Sequence, residues 1–351
     1  MNQNHLGGFA EATDLTRAGR LTEATALIQR LLRGGASEPA PTGAPPERGR
    51  FKRFLDGLLH RAPAAASAEQ PMTSARFTGT AGSRAYRLYV PSQAGGRPLP
   101  LLVMLHGCTQ SPEDFAAGTR MNELAERHGF YVVWPEQDQR ANAQRCWNWF
   151  QPGDQLRDRG EPALVAGMVR EVAAAHRVDP ARVYVAGMSA GGAQAAIMAE
   201  AYPDLFAAVG VHSGLACGAA RDLSSALAAM KYGPATATPV AGPGVPTIVF
   251  HGDGDRIVNP VNGDTLSTRV LDGAPGLAAE LEDGRTADGL GWRRARYRDG
   301  AGRVRLERWT VEGAGHAWSG GSAAGSYTEP RGPDASAAMV EFFLAHRLAG
   351  G

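Results

Sequence analysis

Five short apolar runs limit what this chain can fold into: LLVML (101–105), FYVVW (130–134), VYVAG (183–187), AAVGV (207–211) and TIVFHG (247–252). Each is rich in β-branched or apolar residues and nearly free of polar side chains, so neither face of such a strand suits water. Between and after them lie stretches of helical character at 113–128, 161–177, 190–201 and 333–348. Strands that need cover on both faces, alternating with helices, predict an α/β fold: a mainly parallel sheet with helices on both faces. Tyr86, Leu88 and Val90 alternate with polar residues and Pro91 ends the run, the pattern of an outer strand with one wet face.

The first 70 residues read differently. Residues 9–33 carry Leu15, Ala18, Leu21, Ala24, Ile28 and Leu31 at helical spacing, and Gly34-Gly35 stops the helix. A Pro/Ala-rich linker follows at 36–47, then a basic amphipathic piece from Arg48 to Arg61. We expect a helical N-terminal extension over 1–70 and a catalytic domain over 74–350. The stretch AGRLTEATALIQRLL resembles half of a helical-hairpin repeat, which needs a partner surface to bury its apolar face.

A net charge of +1 argues against a dedicated nucleic-acid surface. No apolar run approaches the roughly 18–20 residues of a membrane span, so no transmembrane segment is expected. The N-terminus, MNQNHLGGFAEATDLTRAGRL, lacks a basic start followed by an apolar stretch, so no signal peptide is expected and the sequence by itself favours the cytoplasm. H-E-x-x-H, C-x-x-C, G-x-G-x-x-G and P-loop strings are all missing, so neither a metal nor a cofactor is expected. Oligomeric state is left open.

Gly187-Met188-Ser189-Ala190-Gly191 matches G-x-S-x-G. With 45 glycines in the chain the match gains meaning only from its context, which is a strand at Val183–Ala186 before it and a helix at Ala193–Glu200 after it. A serine on that sharp turn is lifted above the sheet at a helix N-terminus; the plainer reading is a serine N-cap. Serine is a poor nucleophile until a base takes its proton and an acid orients that base. With strand, elbow and helix in this order, the partners follow as acid and then histidine, as in the α/β-hydrolase fold. After TIVFHG only His316 and His346 remain. His316 lies in a glycine-flanked loop, GAGHAW, behind the strand Val304–Val311, and is the expected base; His346 is expected at the surface or at a helix end. In His251-Gly252-Asp253-Gly254-Asp255 the expected acid is Asp255, with Asp253 as the alternative making a turn hydrogen bond. The oxyanion requires two backbone donors, expected from Ala190 and from Cys108 in the loop Leu105-His106-Gly107-Cys108; a buried structural role for His106 is equally open. Trp147, Asn148, Trp149 and Trp318 are candidates for substrate contact, and core packing is the competing reading for the tryptophans.

At these residues the chain resembles the polyhydroxybutyrate (PHB) depolymerase family of esterases, itself similar to feruloyl and acetyl-xylan esterases. The resemblance is carried by LHGCTQ (105–110), WPEQ (134–137), CWNWF (146–150), VDPARVYVAGMSAGG (178–192), YPDLFAAVGVHSG (202–214), FHGDGDRIVNP (250–260), GAGHAWSGG (313–321) and SYTEPRGPDAS (326–336), and it spans residues 74–348. It implies a serine esterase that hydrolyses carboxylic esters through an acyl-enzyme, with a small-molecule or oligomeric ester as its partner and a feruloyl or acetyl-xylan esterase as the alternative. Secreted polymer depolymerases usually carry a further granule-binding domain, which this sequence does not offer, so soluble esters or short hydroxyalkanoate oligomers are the expected substrates. Family members are commonly exported, which points to the extracellular region and opposes the missing leader. Cys108 and Cys146 fall inside matching motifs, and we expect a disulfide between them that pins the oxyanion loop, leaving Cys217 free.

Overall fold

The computed structural model describes residues 72–235, 244–287 and 289–348. The expectations on the helix at 9–33, the linker at 36–47 and the basic piece at 48–61 lie outside the described residues.

An antiparallel hairpin opens the described chain, β1 (Thr73–Gly79) and β2 (Gly82–Tyr89), followed by β3 (Leu99–Leu105), α1 (Pro112–Thr119), α2 (Met121–His128) and β4 (Tyr131–Pro135). Then come α3 (Gly160–Ala175), β5 (Val178–Met188), α4 (Ala190–Ala201), β6 (Ala208–His212), α5 (Leu223–Tyr232), β7 (Thr247–Gly252) and α6 (Val261–Gly273). The last part holds β8 (Ala278–Arg285), β9 (Gly291–Arg298), β10 (Val304–Val311), the short β11 (Trp318–Ser319) and β12 (Thr328–Glu329), and α7 (Ala335–Leu344).

Among the described residues ten strands form one sheet in the order β1-β2-β4-β3-β5-β6-β7-β10-β9-β8. The six central strands, β4 to β10 in that order, pair in parallel, and antiparallel hairpins close both edges. Every residue of β3, β4, β6 and β7 is buried. The reason is visible in β3: Leu101, Val103 and Leu105 join the apolar layer with Val165 and Val169 of α3 and Ala193 of α4, while Leu102 and Met104 join Phe115, Met121 and Met339 on the other face.

The helix expected over 113–128 is two helices. Arg120 between them adopts φ 53°, and its N–H still donates to the Ala116 carbonyl at 2.9 Å, so the chain turns without losing its bond. The break fits α1 against the 325–328 loop, where Gly118 meets Thr328 and Gly325 closely. His346 lies at the C-terminal end of α7, the second of the two places expected for it, and is buried there, with Nδ1 2.7 Å from the Phe342 carbonyl and Nε2 2.7 Å from the Val304 carbonyl. Among the described residues no helix is long and apolar enough to cross a membrane.

Candidate active site

Sheet register gathers the site. Leu105 pairs with Gly187, Met188 with His212, His212 with Phe250, and Gly252 with Val311, so the C-terminal ends of β3, β5, β6, β7 and β10 share one rim. Ser189 follows β5 at that rim, Asp255 follows β7 and His316 follows β10. Three inter-strand steps of about 4.8 Å separate β5 from β10, roughly 14 Å. The five residues from Val311 to His316 can span about 17 Å when extended, so this loop is long enough to lean back over β7 and β6.

Ser189 has φ 57° and ψ −121°, a conformation that costs a non-glycine residue about 1–3 kcal/mol. Its N–H donates to the His212 carbonyl and its own carbonyl accepts from Ala193, both at 2.9 Å. The flanking glycines are sterically required. A Cβ on Gly191 would collide with the Leu105 carbonyl, and one on Gly187 with the Gly191 carbonyl. That close approach brings the 106–110 loop against the serine, so that a Cβ on Gly107 would stand 3.6 Å from the Ser189 Cβ.

The loop's own amides are nearly all committed. Gly107 N–H donates to Gln110 Oε1 at 2.9 Å, Thr109 N–H to the Gln144 carbonyl at 2.7 Å and Gln110 N–H to the Gly107 carbonyl at 3.3 Å. The amides of Cys108 and of Ala190, the first residue of α4, have no acceptor among the described residues. Cys108 is disulfide-bonded to Cys146, with Cα atoms 4.2 Å apart, and Cys217 is free.

His316 Nδ1 lies 2.7 Å from Asp255 Oδ2. The Asp255 side chain is fully buried and that of His316 is 10% exposed, so solvent reaches the pair only through the imidazole. Asp255 Oδ1 accepts from the amides of Ile257 and Val258, each at 2.9 Å. Burial pushes this carboxyl up, but hydrogen bonds from His251 and His316 outweigh it and hold the group well below the usual carboxylate range. Asp253 lies apart: its Oδ1 accepts from Gly313 N–H at 2.6 Å, bracing the start of the histidine loop.

Three further residues carry the geometry and had no role in the sequence reading. His212 is buried, and burial pushes its pKa well down, so its neutral ring accepts from Ser319 N–H at 3.0 Å through Nε2. Its carbonyl meanwhile takes the Ser189 amide, so one residue ties the serine turn to the loop beyond His316. His251 shares Nε2–H between the Val258 carbonyl at 2.8 Å and Asp255 Oδ2 at 3.4 Å. Gln110 links the 106–110 loop to Asp114 and Ser326. The signal available in sequence was the spacing of His251 four residues before Asp255.

The four residues expected at substrate are committed elsewhere. Trp147 is fully buried and donates its indole N–H to the His106 carbonyl at 3.1 Å. Trp318 is equally buried, donates to Ser336 Oγ at 3.0 Å and stacks on His212 at 4.9 Å. Trp149 packs edge-on against Phe150. Asn148 gives its side-chain N–H to Glu161 Oε1 at 2.9 Å and accepts from Asn142 at 3.0 Å. Their shared work is packing and loop bracing. His106 is structural too: burial holds its pKa down at about 4, and its Nε2 accepts from Gln137 N–H at 3.1 Å.

A protein-family model, described as esterase PHB depolymerase, matches residues 84–280. The chain belongs to the PHB depolymerase esterase family. Among its relatives, poly(3-hydroxyalkanoate) depolymerase C of Paucimonas lemoignei is 33% identical over 248 residues, 65% of this chain and 57% of that protein. A probable acetylxylan esterase A of Aspergillus clavatus is 30% identical over 193 residues, 50% of this chain and 61% of the relative. Feruloyl esterase B of Thermothelomyces thermophilus is 35% identical over 140 residues, 40% of this chain and 47% of the relative. The chain thus spans about half to three-fifths of the length of these relatives. In structure, an acetyl xylan esterase from Aspergillus awamori superposes with a TM-score of 0.61 at 20% identity, covering 78% of this chain and 99% of that one, which establishes the shared α/β-hydrolase fold.

Proposed function

We propose that this family member is a serine carboxylic ester hydrolase acting on hydroxyalkanoate oligomers or similar short-chain esters, with residues 74–350 as the catalytic unit and residues 1–70 as a helical extension. The observation that carries the reading is the 2.7 Å bond between His316 Nδ1 and Asp255 Oδ2, on the same sheet rim as a strained serine beside two uncommitted amides. With Nδ1–H engaged by an ionised Asp255, His316 keeps Nε2 as an acceptor. Ser189 Oγ attacks the ester carbonyl carbon as its proton passes to Nε2, and the amides of Cys108 and Ala190 receive the oxyanion. His316 returns the proton to the leaving alkoxide. Water then attacks the acyl-serine by the same route and releases the acid. Each oxyanion donor contributes about 3–4 kcal/mol where its like has been removed in other enzymes.

The acetylxylan and feruloyl esterase relatives support a second reading, carbohydrate ester hydrolysis by the same machinery. Assaying wild type and Ser189→Ala on p-nitrophenyl butyrate, hydroxybutyrate oligomers, acetylated xylan and methyl ferulate tests both. We expect oligomer cleavage that falls about 10⁴–10⁶-fold in Ser189→Ala. A Ser189→Ala protein that still turns over these esters contradicts the mechanism.

A further inference from the structure

One pocket beside the site has no part in the mechanism above. It holds about 180 Å³ and lies where β1 and β2 meet the segment after β4, lined by Arg76, Glu136, Gln137, Asp138 and Arg145 among others. Its two acids are already answered: Glu136 by Arg87 at 3.4 Å and Asp138 by Arg140 at 2.9 Å. Arg145 is not. Half-buried, its guanidinium has no acceptor among the described residues, and its charge is felt at the ring of His106. Arg145 also adopts φ 52°, a left-handed conformation that a non-glycine residue holds at a cost. Arg76, across the pocket, reaches only Ser83 Oγ at 3.3 Å.

The pocket is joined to the reaction centre by covalent structure. Arg145 precedes Cys146, whose Cα is 4.2 Å from that of Cys108, so the Arg145 Cα lies within about 8 Å of the Cys108 Cα, one trans-peptide step further. Gln137 lines the pocket and donates its amide to His106, two residues before Cys108. A 3-hydroxy acid unit has four backbone bonds where a peptide residue has three, and so spans about 4–5 Å. One or two such units reach as far as the Arg145 Cα lies from the Cys108 Cα beside Ser189. In a hydroxyalkanoate oligomer the end on the alcohol side of every ester is a free carboxylate, whereas the alcohol of an acetylated or feruloylated sugar is neutral.

We propose that this pocket is a leaving-group subsite for a carboxylate, in which Arg145, assisted by Arg76, holds the free acid end of a hydroxy acid oligomer while its ester lies at Ser189. The proposal rests on the ester hydrolase reading and selects hydroxy acid oligomers within it. A planar guanidinium with free N–H groups matches a carboxylate in a bidentate pair.

The test compares cleavage of hydroxybutyrate dimer and trimer as free acids with cleavage of the same internal esters in their methyl-capped forms. The readout is the ratio of kcat/KM, acid over cap, which does not depend on how much of a variant is folded. Wild type prefers the free acid about tenfold, equivalent to about 1.4 kcal/mol. Arg145→Ala brings the ratio to about one, mainly through KM. Arg145→Lys keeps part of the preference, and Arg76→Ala on the exposed hairpin lowers it several-fold. In 1 M salt, where the screening length is about 3 Å, the wild-type preference shrinks. A wild-type ratio near one, or a ratio unchanged in both Arg145→Ala and Arg76→Ala, overturns the subsite. Cleavage that depends on Ser189 with a flat ratio removes the subsite alone, whereas cleavage that survives Ser189→Ala removes the hydrolase reading itself.

Discussion

Replacing Asp255 by asparagine changes one atom and should nearly abolish turnover, because of the way its two oxygens are used. The amides of Ile257 and Val258 both point at Oδ1 from 2.9 Å and can only donate, so the asparagine oxygen must stand there. The amide nitrogen then occupies the Oδ2 position, 2.7 Å from His316 Nδ1 and 3.4 Å from His251 Nε2. An amide nitrogen cannot accept a hydrogen bond. His316 is therefore driven into the tautomer with Nδ1 as acceptor and the proton on Nε2, the atom needed to take the serine proton. The same switch in a serine protease costs about 10⁴ in kcat, about 5.5 kcal/mol of barrier at 1.4 per decade. Asp253→Asn is the matched control. Its one side-chain hydrogen bond, from Gly313 N–H at 2.6 Å, is accepted equally well by an amide oxygen, and the exposed ion pair it also makes with Arg293 at 4.0 Å is worth little, so kcat should stay within about threefold of wild type. Initial rates on p-nitrophenyl butyrate measure both. If Asp255→Asn keeps more than about a tenth of kcat, or Asp253→Asn is the more damaged protein, the tautomer argument is wrong.

Two further outcomes concern the scaffold. The Cys108–Cys146 bridge closes a loop of 38 residues, for which chain entropy gives about 4 kcal/mol; Cys146→Ser should lower Tm by about 10 °C, and a thiol count of three in the denatured, unreduced wild type would show the bridge does not form. Glu161 is buried under the 146–149 loop, and burial together with Asp154 pushes its pKa up to about 7 against the hydrogen bonds it accepts. The folded protein thus keeps a proton that the unfolded chain releases near pH 4.3, so this group's contribution to stability declines as pH rises from about 4.3 to 7. Glu161→Gln lacks that dependence, so the Tm of wild type minus that of the variant should shrink across this window; a gap that is flat or widens contradicts it.

The sheet core was legible because burial on both faces leaves an unbroken apolar run, and the observed β7 (Thr247–Gly252) and β10 (Val304–Val311) have the bounds read from sequence. The β8–β9 hairpin was not legible. Its strands, AAELEDGR and GWRRARYR, lie at the sheet edge, and cross-strand pairs such as Arg296–Glu280 hold them where an apolar pattern would. Helices α5 and α6 escaped for a similar reason, each burying only a few of its residues. Around the site, residues on the backbone path of a motif could be read, since G-x-S-x-G and the loops after strands have fixed places in the chain. The partners that tie loops together, His212 to Ser319 and Gln110 to Ser326, join residues more than a hundred positions apart and leave no local trace. The tryptophans stayed open between pocket and core in the sequence because an aromatic beside a reactive residue reads alike whether it lines a pocket or supports its wall, and the indoles of Trp147 and Trp318 have no free face.

The central claim is that Ser189 is the activated nucleophile, and a fluorophosphonate tests it most directly, since stable labelling needs a serine hydroxyl with a working base. Mass spectrometry of the labelled, digested protein should find one adduct on the peptide containing Gly187-Met188-Ser189-Ala190-Gly191, lost in Ser189→Ala and strongly slowed in His316→Ala. An adduct on another residue, or labelling of Ser189 at the same rate without His316, would contradict the account.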